Sequence, residues 1–368
     1  MTKPADAIRV LIVDDSAVIR GALGRIVDAE PDMMVATTAP NGRVALDALK
    51  HMPIDVVLLD IEMPELDGLS ALPKILSQYP ATRVIMASSL TQSGAEVTMQ
   101  ALALGAADYI AKPAAKSGSA TLASLAIEIA SKVRAIGRAA RGNPAPRVIR
   151  PMVRSAATGR PTPTAALLAV TGDGAIPRVL AVASSTGGPN ALAEMLAGLP
   201  ADYPLPILIT QHMPPIFTTL LAQRLMRDAN RECIEASDGE LLRPGCTYVA
   251  RGDYHMTVQT LEGQPFLRLT QSAPENYCRP AADPMLRSVA SIYGASTLAV
   301  VLTGMGEDGR RGCEEVHRRG GRVIVQDEAT SVVWGMPGAV ANAGLANWVL
   351  PLHDIAAQVT SLSQVAVS

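Results

Sequence analysis

Aromatic side chains are scarce in this chain: two Phe, two Trp and seven Tyr among 368 residues. Proteins that grip nucleic acid stack bases on such rings along a basic surface. Neither feature is available, because 32 Lys and Arg face 34 Asp and Glu, for a formal net charge of -2. No nucleic-acid partner is expected. Long hydrophobic runs are missing as well. Mean hydropathy is +0.22, yet stretches such as Val56 to Leu59 and Leu298 to Leu302 are strand-sized, whereas a spanning helix needs about 20 apolar residues. No membrane insertion is therefore expected. The chain enters a strand by Ile8 with no apolar segment or cleavage site before it, which predicts a cytoplasmic protein. Cysteine is sparse too: Cys233, Cys246, Cys278 and Cys313 are widely spaced without a C-x-x-C pair, the pattern of reduced thiols rather than of disulfides or a metal site. Charged residues make up only 18% of the chain and hydrophobic ones 48%, which excludes disorder for most of it. At about 150 residues per domain, the length predicts two domains with cores of Ala, Val, Leu and Met.

Short β-branched runs alternate with helical periodicity from the start: Ile8 to Val13, Val18 to Ala29, Val35 to Thr37, Asn41 to Lys50 and Val56 to Leu59. The rhythm continues through Leu69 to Gln78, Arg83 to Ala87, Gly94 to Leu104, Tyr109 to Ala111 and Leu122 to Ile136. Such strands need helices on both faces, which predicts a doubly wound parallel sheet over residues 6 to 137. Between Arg138 and Arg160 there are six arginines and no acid, with Pro144, Pro146 and Pro151 against helix formation. Residues 138 to 176 are expected to be a flexible linker with a reach of about 30 Å. After Pro177 alternation resumes with Arg178 to Ala183, Asn190 to Leu199, Leu205 to Thr210, Ser296 to Leu302 and Gly321 to Val325. The expectation is a second parallel α/β domain over residues 177 to 360, with partly antiparallel excursions around Thr247 to Leu269.

In the first domain, Asp14 and Asp15 follow the first strand and Asp60 follows the third. Three carboxylates converging on one sheet edge repel one another, and oxygen ligands of this kind suit Mg²⁺. Ser88 ends the fourth strand and Lys112-Pro113 the fifth, so a hydroxyl and an ammonium could hold the oxygens of a phosphoryl group attacked by Asp60. One acid after a strand is ordinarily a helix cap, but five such residues at successive strand ends are not explained by capping. Asp14-Asp15, Asp60 with Met63-Pro64 and Asp67-Gly68, Ser88 and Lys112-Pro113 resemble the receiver domain of bacterial response regulators. The resemblance implies a flavodoxin-like fold, a phosphoacceptor at Asp60 and a sensor histidine kinase as phosphodonor. It also implies Mg²⁺ on Asp15, Asp60 and the Glu62 carbonyl, with Asp14 acting partly through water. Tyr109, three residues before Lys112, matches the family's switch aromatic, though an ordinary strand aromatic remains an alternative.

In the second domain, a strand runs straight into Ser184-Ser185-Thr186-Gly187-Gly188-Pro189 and then a helix. By itself this reads as a phosphate-binding turn or a serine cap. It is not a Walker loop, and the G-x-S-x-G elbow is absent. The next strand delivers His212 at the same edge, with the basicity to take a hydroxyl proton. A later strand leads into Thr303-Gly304-Met305-Gly306-Glu307-Asp308-Gly309, adding a carboxylate that can orient an imidazole. Jointly, Ser185, His212 and Asp308 fit nucleophile, base and orienting acid. Together with Gln211-His212-Met213-Pro214, Arg251 to Met256 and Gly335-Met336-Pro337, these segments resemble the chemotaxis protein-glutamate methylesterase domain, of Rossmann-like fold.

That resemblance implies hydrolysis of glutamate γ-methyl esters on methylated chemoreceptors, with deamidation of receptor glutamines in some members, and no cofactor for the ester chemistry. Backbone N–H groups near Met305 and Thr186 would hold the oxyanion. Three features depart from the family pattern. Ser184 stands where Ala is usual and leaves a second serine as alternative nucleophile; Arg251 replaces a usual Pro; and Tyr277-Cys278-Arg279-Pro280 replaces a His-Arg-Pro context. His255 is expected to be structural. The functional alternative is a phosphorylation-switched binding module with an inactive esterase fold.

Overall fold

In the computed structural model, which describes residues 3–4, 6–89, 91–112, 119–142 and 175–363, the alternating runs become two α/β domains. The first contains β1 (Ile8–Val13), α1 (Ala17–Ala29), β2 (Met33–Ala39), α2 (Gly42–His51) and β3 (Val56–Asp60). It continues with α3 (Gly68–Gln78), β4 (Arg83–Ser88), α4 (Gln92–Ala103), β5 (Asp108–Ala111) and α5 (Ser119–Gly142). Four of its helices start where a short polar side chain can accept a backbone N–H: Ser16 from Ile19, Asn41 from Val44, Asp67 from Ser70 and Thr91 from Gly94. The five strands pair in parallel in the order β2-β1-β3-β4-β5. In this flavodoxin-like order the sheet changes direction between β1 and β3, and a ligand crevice opens outside the carboxyl ends of those strands.

α5 runs past Ile136 through Arg138 to Gly142 because its arginines find acids on the domain. Arg138 Nη2 donates to Asp32 at 2.9 Å, and Arg141 Nη2 donates to Asp55 at 2.7 Å. Residues 143–174 of the expected linker, and Pro113, lie outside the described residues.

The second domain begins with β6 (Val179–Ser184), α6 (Gly188–Ala197), β7 (Ile207–Gln211), α7 (Phe217–Ala229), β8 (Cys233–Glu235) and β9 (Thr247–Val249). β10 (His255–Leu261), β11 (Gln264–Thr270), α8 (Ala282–Tyr293), β12 (Thr297–Val301) and α9 (Arg310–Arg318) follow. β13 (Arg322–Gln326), α10 (Met336–Asn342), β14 (Trp348–Leu350) and α11 (Leu352–Leu362) complete it. The seven-stranded sheet has the order β14-β13-β12-β6-β7-β9-β8, and every pairing in it is parallel. The antiparallel excursion is the β10–β11 hairpin, where His255 faces Thr270, while β9 itself joins the parallel sheet. β6 lies between β12 and β7, so this Rossmann-like sheet has its switch point where β6 and β12 end.

The strands are near-continuous apolar runs because both faces of each sheet are covered. β3, β6, β7 and β12 are buried at every residue. The two domains share apolar contacts, with α4 packed on α6 and α7. Among the described residues, no helix is long and apolar enough to cross a membrane.

Candidate active site

The acidic cluster of the first domain forms as the strand ends require. One carboxylate oxygen each from Asp14, Asp15 and Asp60 lies within 4.8 Å of the others. Asp14 and Asp60 are buried while Asp15 is exposed. Lys112 Nζ bridges the buried pair, 2.9 Å from Asp14 Oδ2 and 2.5 Å from Asp60 Oδ1. Burial, with the neighbouring Asp14 charge, raises the Asp60 carboxyl above its ordinary range against the opposing pull of Lys112. Burial works against the Lys112 ammonium, but Asp60 and Asp14 together raise its pKa. Asp60 Oδ2 is buried without a hydrogen-bond partner among the described residues. An orphaned anionic oxygen within a three-carboxylate set fits a hard divalent cation such as Mg²⁺. Glu62 is exposed on the loop after β3.

Gly68 explains the Asp67-Gly68 pair. A Cβ there would lie 1.9 Å from the Asp60 carbonyl oxygen, so only glycine lets α3 begin against Asp60. Ser88 is buried at the end of β4, but its hydroxyl turns onto the start of α4. It donates toward the Ser89 and Gly94 carbonyls at 3.0 and 3.2 Å and accepts from Thr98 Oγ1 at 2.7 Å.

In the second domain the adjacent serines have different surroundings. Ser184 is fully buried at the end of β6 and its hydroxyl donates to Gln211 Oε1 at 2.7 Å. Ser185, one residue further, is partly exposed at the rim, held by its backbone: its N–H donates to Thr303 O and its carbonyl accepts from Gln211 Nε2. Gly304 lets the loop after β12 approach this point, since a Cβ there would sit 2.9 Å from Ser185 Cβ and 2.4 Å from Met336 Sδ.

His212 follows β7. Its Nε2 is 2.7 Å from Asp308 Oδ2, and its Nδ1 lies 3.4 Å from Cys278 Sγ. Burial opposes charging of the imidazole, but Asp308 and Cys278 outweigh it and hold its pKa well above the ordinary range. Despite burial, the imidazole and backbone donors keep Asp308 low. Asp308 accepts from Asn276 Nδ2 at 2.8 Å and from the N–H groups of Ala282, Asp283 and Gly309. Asn276 Nδ2 also donates to Asp283 Oδ2 at 3.0 Å; burial, with Asp308 close by, raises the Asp283 carboxyl. No hydrogen bond joins Ser185 to His212 among the described residues; the two ring nitrogens of His212 face Asp308 and Cys278. The backbone N–H groups of Thr186 and Met305 likewise have no partner among the described residues. His255 is a buried strut: its rings nitrogens meet Ala273 O at 3.1 Å and Ala281 N at 3.2 Å.

The edge of the first domain sits on this rim. Tyr109, 6% exposed, stacks on Phe217 at the start of α7, with ring centroids 4.5 Å apart and planes 1° apart. Next to it, Asp108 Oδ2 accepts from Thr186 Oγ1 at 2.6 Å and lies 3.4 Å from Lys132 Nζ on α5. Lys132 also stands 4.9 Å from the centre of the Tyr109 ring. Asn190 Nδ2 donates to Leu102 O at 2.7 Å, and Met305, Val332 and Val333 join the apolar cluster of Ile110, Ile129 and Val133. Asp108, Lys132, Phe217, Asn276 and Asp283 are not among the residues expected from the sequence. Asp108 and Phe217 each adjoin or follow a recognised motif, but nothing local shows that they meet across the interface.

Fold and site together define a two-domain response regulator whose output domain carries a hydrolase-type rim. A family model described as "CheB methylesterase" matches residues 180–359, and one described as "Response regulator receiver domain" matches residues 10–121. A Rhodospirillum centenum protein named protein-glutamate methylesterase/protein-glutamine glutaminase of group 2 operon is 47% identical, with 95% of this chain and 93% of that protein covered. Protein-glutamate methylesterase/protein-glutamine glutaminase 2 of Caulobacter vibrioides is 52% identical over 96% of this chain and 98% of its own length. The crystal structure of the Thermotoga maritima CheB methylesterase catalytic domain covers 50% of this chain and 98% of its own, at 42% identity and a TM-score of 0.50. The chain belongs to the protein-glutamate methylesterase/protein-glutamine glutaminase family.

Proposed function

We propose that this chain hydrolyses glutamate γ-methyl esters on cytoplasmic segments of chemoreceptors, also deamidates receptor glutamines, and is held in check by its receiver domain until Asp60 is phosphorylated by a sensor histidine kinase. The observation that carries this reading is the receiver edge, Asp108 and Tyr109, docked on Thr186 and Phe217 beside Ser185 and His212. Asp14, Asp15 and Asp60, with the Glu62 carbonyl, would hold Mg²⁺, which neutralises charge as the phosphoryl group is transferred. The Asp60 carboxylate is the acceptor, and Lys112 and Ser88 take the phosphoryl oxygens; for Ser88 this requires its hydroxyl to leave the start of α4. Drawing Lys112 onto the phosphoryl group pulls at the end of β5, and Tyr109, three residues earlier, leaves Phe217.

In the released domain, Ser185 Oγ attacks the ester carbonyl. Asp308 holds Nε2–H of His212, so in the neutral imidazole Nδ1 takes the hydroxyl proton, forming the imidazolium that Asp308 stabilises, and returns it to the departing methanol. The Thr186 and Met305 N–H groups meet the oxyanion, a role worth about 3 kcal/mol of barrier per donor. Water then cleaves the acyl-enzyme. Methanol release from methylated receptor, with and without a phosphodonor, tests the chemistry and its control. Ser185→Ala should abolish release and Asp60→Asn should remove the response to the phosphodonor. Full activity in Ser185→Ala refutes the nucleophile, and release from neither state leaves a binding module.

A further inference from the structure

Three of the four cysteines are closed to chemistry. Cys233, Cys246 and Cys313 are 3%, 1% and 0% exposed, and burial pushes their thiols up, that of Cys233 to about 12. Cys278 differs in exposure and in what it meets. It is partly exposed, its Sγ lies 3.4 Å from His212 Nδ1, and the far side of that imidazole is 2.7 Å from Asp308. Sulfur, imidazole and carboxylate thus stand in direct succession, the arrangement of nucleophile, base and orienting acid. Ser185, which needs the same imidazole nitrogen, makes no hydrogen bond to it among the described residues. The backbone places the thiol there by an uncommon route, with Asn276 and Tyr277 both left-handed at φ 51 and 63. The Asn276 amide that this turn presents is the one that anchors Asp308.

We propose that Cys278 is a second nucleophile sharing the base and acid of the esterase, that it reacts with hydroperoxides, and that the reaction silences the ester chemistry. His212 Nδ1 takes the thiol proton and the thiolate attacks one peroxide oxygen. A sulfur–oxygen bond forms as the oxygen–oxygen bond breaks. The sulfur loses two electrons and becomes a sulfenic acid; the peroxide is reduced to water or an alcohol, its leaving oxygen taking the proton from the imidazolium. The new hydroxyl on sulfur stands at Nδ1 and denies that nitrogen to Ser185. A thiol reductant restores the cysteine. The modification rests on geometry alone, whereas its silencing effect rests on the esterase reading above.

The test uses the full chain treated with hydrogen peroxide and then a sulfenic-acid trap, with each cysteine read by mass spectrometry. Cys278 should be trapped well ahead of the other three and about tenfold faster than in His212→Gln, because the imidazole supplies the thiolate. Alkylation of the unmutated protein by iodoacetamide as a function of pH gives the same readout without a substitution. Methanol release should fall in step with Cys278 oxidation and return with reductant. Cys278→Ala and Cys278→Ser should each keep their own untreated rate through the same exposure. Equal trapping in wild type and His212→Gln, or alkylation following the pH dependence of a free thiol, overturns the activated nucleophile. Full release after complete oxidation overturns the silencing. If untreated protein releases no methanol and a fluorophosphonate leaves Ser185 unlabelled, the silencing falls with the esterase reading, and trapping at Cys278 alone decides the modification.

Discussion

Thr186→Val removes one hydroxyl and keeps shape, volume and the backbone N–H assigned to the oxyanion. That hydroxyl donates to Asp108 Oδ2 at 2.6 Å across the domain interface, between residues 2% and 7% exposed. A hydrogen bond to a charged group contributes about 1.5–3 kcal/mol. Water can reach Asp108 once the domains part, so the loss falls on the docked state. Asp108 is not stranded there, since Lys132 remains 3.4 Å away and the Tyr109 N–H still donates to Oδ1 at 2.8 Å; the low end of the range therefore applies. The docked state then loses about tenfold in population against the released one. Unphosphorylated methanol release should rise by about that factor, up to the phosphorylated rate. The phosphorylated rate should be unchanged, so stimulation shrinks by the same factor. Release is followed from methylated receptor membranes, with circular dichroism to check the fold. An unphosphorylated rate equal to wild type, in a folded protein, would refute the latch.

Because burial raises the Asp60 carboxyl, the folded chain favours its protonated form, so the stability tied to it is present below the unfolded carboxylate value of 3.8 and lost as pH rises through the folded one. Asp60→Asn should therefore raise Tm at neutral pH, with the difference narrowing as pH is lowered into the carboxylate range. Mg²⁺ should stabilise wild type by about 2.7 kcal/mol at a hundred times its Kd, read as a rise in Tm, and Asp15→Ala should lose most of that shift. Gly68→Ala forces a Cβ to 1.9 Å from the Asp60 carbonyl and should cost about 1–3 kcal/mol in denaturant unfolding, together with phosphorylation of Asp60. Asn276→Ala takes the shared donor from Asp308 and Asp283 and should lower kcat about tenfold with KM little changed.

Much of this protein is legible one segment at a time. Parallel strands buried on both faces read as apolar runs, and Ile8–Val13 begins and ends where its residues change character. Ser16, Asn41, Asp67 and Thr91 announce their helices because capping needs only a side chain and a backbone N–H a few residues away. Boundaries were less legible where distant partners extend an element. α5 reaches Gly142 because Arg138 and Arg141 meet Asp32 and Asp55, more than 80 positions away in the chain.

The adjacent serines mark the division most sharply. Local pattern alone places acids, a histidine and serines at the ends of buried strands, because it fixes where a strand stops; the parallel topology then gathers those ends at one edge. Which serine hydroxyl is left at the rim depended on Gln211, 27 positions on from Ser184: its Oε1 takes the Ser184 hydroxyl while its Nε2 meets Ser185 only at the backbone carbonyl. Tertiary structure likewise turned Nδ1 of His212 toward Cys278, gave Asp308 its Asn276 donor, and set Tyr109 flat on Phe217. The scarcity of aromatic residues had excluded a stacking surface for nucleic acid; it did not exclude one pair at the domain interface. Such contacts join residues far apart in the chain, and their energies depend on distance and on exclusion of water, neither of which a residue's immediate neighbours in sequence record.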